Sequence, residues 1–145
     1  MTPKMIFAAS GLAALALAGA ARADQMPMDT PVTMNGVETV CTGIGDEAQA
    51  DPRWKAYPAR IEFSNGGAQY LSGVHLSLAS AGGKTITTLD CAGAWVLFRL
   101  PPGNYKITAN LLGQQGAAPR SITISPPASG QKRFVIQFPG VNANQ

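Results

Sequence analysis

The stretch "LPPGNYKITANLLG", Leu100 to Gly113, decides how the chain is built. Pro101 and Pro102 fix φ and lack N–H donors, so the strand before them stops pairing. Gly103 tolerates a positive φ without a Cβ clash, and the chain reverses there. Beyond it Tyr105, Ile107, Ala109 and Leu111 alternate with Lys106, Thr108 and Asn110. Period-two alternation marks a strand with one face on a core. The corner is a folding device, and no reactive group sits in it.

Upstream, Ala94 to Leu100 is almost continuously apolar, which suits a central strand. Trp95 and Leu97 are expected to point inward, with a slip of register before Leu100. Other strand-like runs are Val37–Thr42, Pro58–Phe63, Val74–Leu78, Lys84–Leu89, Arg120–Ile124 and Arg133–Phe138. Lys84–Leu89 has the polar, β-branched character of an edge strand. Turn signals separate the runs: Asn65-Gly66-Gly67, Ala81-Gly82-Gly83 and Pro126-Pro127. About eight short strands so spaced predict an all-β, Greek-key-type sandwich. Only Gly45–Ala56 reads as helical, and Pro52 limits that segment to a turn or two.

The chain has 145 residues, enough for one domain, and only 13% of them are charged. Lys4, the apolar run Ile6–Ala20 and the small-x-small site Ala21-Arg22-Ala23 have the three parts of a secretory signal. The expected division is a signal over 1–23, a flexible lead-in over 24–35, the sandwich over 36–139 and a tail over 140–145. Export implies a periplasmic or secreted protein, with no membrane span once the signal is cleaved. Removing Lys4 and Arg22 leaves nine basic residues against eight acidic ones, and the formal charge falls from +3 to +1. No basic stripe remains for a phosphate backbone, so nucleic acid is not an expected partner.

Cys41 and Cys91 are the only cysteines. An oxidising compartment favours their pairing. Two separate thiols or a metal pair are the alternatives, and a single histidine makes a poor metal site.

"FRLPPGNYKITA", Phe98–Ala109, resembles the Leu-Pro-Pro-Gly-x-Tyr signature of carboxypeptidase regulatory-like domains, carried here by Leu100, Pro101, Pro102, Gly103 and Tyr105. "YLSGVHLSL", Tyr70–Leu78, is similar to an earlier strand of such domains, and Thr42–Phe63 to the leader of small exported bacterial members. The resemblance implies a transthyretin-like (prealbumin-like) sandwich that accompanies other proteins without doing chemistry. Where the family has Asp-Gly-x-Phe, this chain has Asp90-Cys91-Ala92-Gly93-Ala94-Trp95. A cysteine there, paired with Cys41, would tie the leader to the sheet.

No catalytic, metal-binding or cofactor-binding constellation emerges. His75, the one histidine, lies mid-strand on a polar face and reads as solvated. Hydroxyisourate hydrolases share the transthyretin fold, but they use several histidines and a Tyr-Arg-Gly-Ser ending; this chain ends "VNANQ". Gly43-Ile44-Gly45-Asp46-Glu47-Ala48 matches a dinucleotide fingerprint without the βαβ unit that gives it meaning. Gly83-Lys84-Thr85 lacks the first glycine and the helix of a phosphate loop. Met26, Met28 and Met34 could form a soft copper(I) set, but no Cys or His lies beside them. Asp46, Glu47 and Asp51 lack a calcium-loop spacing and suit a helix N-terminus. Trp54 and Tyr57 stand in a polar stretch, where paired aromatics either stack on a ligand or partner or seal the sandwich. The expected function is a non-catalytic module that binds another envelope protein. A periplasmic small-ligand or carbohydrate carrier using Trp54 and Tyr57 is the alternative.

Overall fold

The computed structural model describes residues 24–67, 69–113 and 117–142. The expected signal over 1–23 and the last three residues of the tail lie outside the described residues. In chain order the strands are β1 (Asp24–Gln25), β2 (Val32–Met34), β3 (Val37–Thr42), β4 (Ala59–Ser64), β5 (Val74–Ser80), β6 (Thr85–Cys91), β7 (Trp95–Arg99), β8 (Tyr105–Leu111), β9 (Arg120–Ile124) and β10 (Lys132–Gln137). They form two five-stranded sheets, β1-β6-β5-β8-β9 and β10-β4-β7-β3-β2. An all-β sandwich results, and each of the eight expected strands is present as β3 to β10.

Alternation builds the core. Leu76 and Leu78 of β5, Leu89 of β6 and Ile107 of β8 face Ile61 and Phe63 of β4, Val96 and Phe98 of β7 and Ile136 of β10, all fully or almost fully buried. Each such side chain contributes roughly 1.5–3 kcal/mol. The Pro101–Gly103 corner joins β7 in one sheet to β8 in the other, so it carries the chain across the sandwich. Gly103 has φ 153°, and the Tyr105 hydroxyl donates to the Pro101 carbonyl at 2.9 Å. The two prolines end β7 at the rim, and the tyrosine pins the crossing.

Cys41 of β3 and Cys91 of β6 form a disulfide with a Cα–Cα distance of 5.6 Å. It joins the two sheets, as expected for an oxidised pair.

Three expectations are corrected. Val96 and Phe98, not Trp95 and Leu97, face the inter-sheet core. β7 lies between β4 and β3, and both of its faces are covered, so its apolar run does not reveal which set points inward. The lead-in is not structureless: β1 pairs with β6, β2 pairs with β3, and Met26 and Met34 are buried in the core. Asn35 (φ 49°) and Gly36 (φ 82°) make the tight β2–β3 turn, which needs two positive φ values. Finally, β6 is an edge only over part of its length, because β1 pairs with Leu89 and Asp90.

The helical segment splits into α1 (Asp46–Gln49) and a 3-10 turn (Pro52–Ala56). The Asp51 carboxylate accepts from Arg53 N–H at 2.9 Å and Pro52 occupies the first turn, both ordinary start signals.

Candidate functional site

Trp54 and Tyr57 do not present open rings. Each is 3% exposed, and they pack with Val40 and Leu97 on the outer face of the β10-β4-β7-β3-β2 sheet. The Trp54 indole N–H donates to the Ala48 carbonyl at 2.8 Å, and the Tyr57 hydroxyl donates to Glu38 at 2.7 Å. They seal a second, smaller core, the covering role that is one of the two readings of this pair in the sequence. The apolar Val40 and Leu97 beneath them needed a cover, and amphipathic aromatics supply one while keeping a polar atom bonded.

Burial, then the Glu38 carboxylate, pushes the Tyr57 pKa up to about 12. The Tyr57 hydroxyl and then Arg99 hold the Glu38 carboxyl below its ordinary range. An unfolded tyrosine loses its proton near pH 10. The fold keeps that proton longer, so this contribution is present below pH 10 and is lost as pH rises toward about 12. Urea unfolding between pH 9 and 12 is therefore expected to show stability falling through this window, with a shallower fall for Tyr57→Phe. Identical slopes would contradict it.

His75 is not isolated. Strand pairing sets it opposite Asp90, and its Nδ1 lies 2.7 Å from Asp90 Oδ1. Sequence distance hid this partner. The His75 side chain is thus held by Asp90. Met26 and Met34 serve the core, while Met28 Sδ lies 3.4 Å from the Cys41 sulfur of the disulfide. Asp51 is held by Arg53, and Asp46 and Glu47 sit in the first turn of α1. Gly43 has φ 96°, and a Cβ there would stand 2.6 Å from Trp95 Cγ, so this glycine serves close packing. Among the described residues no cluster of three His, Cys, Asp or Glu side chains could hold a metal. No described helix is long and apolar enough to cross a membrane.

Among the described residues β9 and β10 give one lateral side a continuous open edge, whereas β6 is open only over Thr85–Thr88. On the other side the sheets end in β1 and β2, two and three residues long, and the disulfide stitches the layers close by. Short edges offer little to pair with. The opposite side ends in β9 and β10, five and six residues long and adjacent to each other. Lys132 N–H donates to the Pro58 carbonyl and Phe138 N–H to the Ser64 carbonyl, each at 2.8 Å. Backbone groups alternate sides along a strand. Even-numbered residues of β10 therefore bond β4, while Arg133, Val135 and Gln137 aim N–H and C=O at the open edge.

The charge on this side is one-signed. Asp90 is the only acidic residue after Glu62, whereas Lys106, Arg120, Lys132 and Arg133 lie on β8, β9 and β10. The one carboxylate beneath β10, Glu62, is fully buried, and its Oε2 lies 2.8 Å from Arg60 Nε and 2.7 Å from Arg133 Nε. Its Oε1 has no hydrogen-bond partner among the described residues. Arg60 stacks over Trp95, 4.4 Å from the ring centroid, and Tyr70 meets Trp95 edge-on. Burial, then the Glu62 carboxylate, raises the Tyr70 pKa, and Glu62 raises that of Arg133. Two guanidinium groups on one carboxylate leave a net positive charge at the surface.

A cleft of about 320 Å³ opens here, lined by Ser64, Gly67, Gln69 and Tyr70 on one side and by Arg133, Val135 and Gln137 on the other. Tyr70 is 39% exposed, so the aromatic ring that reaches solvent is not one singled out from the sequence. Alternation in "KRFVIQ" could have assigned Arg133, Val135 and Gln137 to one outward face, but nothing local shows that β10 closes a sheet. Compared with known protein families, curated proteins and solved structures, the chain shows no match.

Proposed function

We propose that this is a non-catalytic exported binding module that takes up an extended segment of a partner protein along β10. The observation that carries the reading is the free edge itself: three alternate residues, Arg133, Val135 and Gln137, offer backbone donors and acceptors that pair with no strand among the described residues, on a side where both sheets stop. Such an edge recruits an added strand through main-chain hydrogen bonds. The basic residues around it favour a partner segment with acidic character and speed its approach. The resemblance of the Leu100–Tyr105 corner to carboxypeptidase regulatory-like domains supports the same reading, since those domains accompany other proteins. A carrier built on Trp54 and Tyr57 has lost its exposed aromatics.

Val135→Pro tests this. Proline removes the outward N–H of an edge residue without touching the β10–β4 ladder. Extended peptides selected on the mature domain from a displayed library are expected to alternate apolar and acidic residues. Their affinity for Val135→Pro is expected to fall at least tenfold, with the circular dichroism spectrum unchanged. Equal binding to both proteins, or no enrichment at all, defeats the reading.

A further inference from the structure

We infer that the cleft beside β10 selects a carboxylate side chain at one position of the added strand. This rests on the edge reading above and makes it specific.

The residues whose backbone faces the open edge, Arg133, Val135 and Gln137, also line the cleft with their side chains. A strand laid against β10 places its side chains on alternate faces, so every second one lies on the cleft side. Strand addition uses backbone bonds for affinity and pockets for alternate side chains for specificity. The geometry provides both from the same three residues.

The chemistry of the walls identifies the guest. Arg133 supplies a guanidinium, Gln69 and Gln137 supply amides, and Tyr70 and Ser64 supply hydroxyls. No carboxylate is among the lining residues. Glu62 is fully buried and holds Arg133 through Nε, which fixes the plane of a guanidinium whose side chain remains 55% exposed. A planar cation held from beneath and open above suits a planar anion. A lysine or arginine guest would meet Arg133 with no exposed acid to offset it. An apolar guest would leave the donors unused.

Fluorescein-labelled ten-residue peptides of alternating threonine and valine, with a central Glu, Gln or Lys, test this by fluorescence anisotropy. The full mature domain is compared with Arg133→Gln, Gln137→Glu and Val135→Pro. The Glu peptide is expected to bind the unaltered domain about tenfold more tightly than the Gln peptide, and the Lys peptide more weakly still. That preference is expected to disappear in Arg133→Gln. Because Arg133→Gln disturbs the Glu62 pair, Gln137→Glu provides the second reading: it adds a carboxylate to the cleft wall and is expected to shift preference toward the Lys peptide. Equal binding of the three peptides to the unaltered domain, with loss in Val135→Pro, overturns the cleft inference and leaves the edge reading standing. A Glu preference that survives both cleft variants overturns it as well. No binding of any peptide, or binding that ignores Val135→Pro, overturns both.

Discussion

Replacing Cys41 and Cys91 together by alanine is expected to lower the stability of the protein by about 4 kcal/mol. The bond closes a chain segment with a sequence separation of 50, and the chain-entropy account of that loop gives the figure. Small domains are stable by only about 5–15 kcal/mol, so the loss is a large fraction of the whole. For a domain this size it corresponds to a fall in Tm of about 15 °C. The location adds to the expectation. Cys41 and Cys91 are both fully buried and join the two sheets on the side of the short strands β1 and β2. Thermal unfolding followed by circular dichroism, with and without reductant, measures the effect. A double variant melting within about 3 °C of the parent, roughly 1 kcal/mol at most, would show that packing alone holds this side together.

The Gly93→Ala variant is expected to cost about 3 kcal/mol or more, although it removes no side-chain interaction. Gly93 sits in the crossing from β6 to β7, just after Cys91, and its backbone lies against the end of β3. A Cβ there would run into the Thr42 carbonyl oxygen and stand 2.9 Å from the Thr42 carbonyl carbon. These are backbone atoms, and Thr42 adjoins the disulfide-bonded Cys41, so the neighbour has little freedom to retreat. Inserting a methyl into a tight contact costs about 1–3 kcal/mol when side chains can adjust, and more when they cannot. Gly82→Ala is the control. Its Cβ would meet only Ser80 Oγ, at 4.0 Å, and a change within about 0.5 kcal/mol is expected. Urea titration of both variants decides the matter; similar midpoints for the two would mean that the β6–β7 crossing shifts freely.

The Gly93 contact is one of several made in the approach to the central strand. Cys91, Gly93 and Trp95 serve three separate purposes within five residues: a bond between sheets, a backbone-to-backbone contact, and a cover over the Glu62 pair with Arg60 above it. None of these is visible until β3 and β4 are placed on either side of β7.

The strands themselves were local matters. Period-two alternation in Tyr105–Leu111 and Val74–Leu78, broken by Pro-Pro-Gly and Gly-Gly turns, was enough to place eight strands and infer a sandwich, because a half-buried strand declares its faces in its own residues. Asn35-Gly36 was an equally local hairpin signal, and reading it would have turned the end of the lead-in into β2, paired with the expected β3. The candidate site was a different case. Whether Trp54 is open or covered depends on Val40 and Leu97, and whether His75 has an acid depends on the register with β6. That β10 lies at the end of its sheet follows from its parallel pairing with β4, more than 70 residues earlier in the chain: Phe134 lies against Ile61, and Val135 against Glu62. Long-range pairing chooses among surfaces that look alike in sequence, since hydrogen bonding between strands carries no residue code of its own. The free edge, the buried glutamate beneath it and the cleft beside it therefore exist only once the sheets have closed.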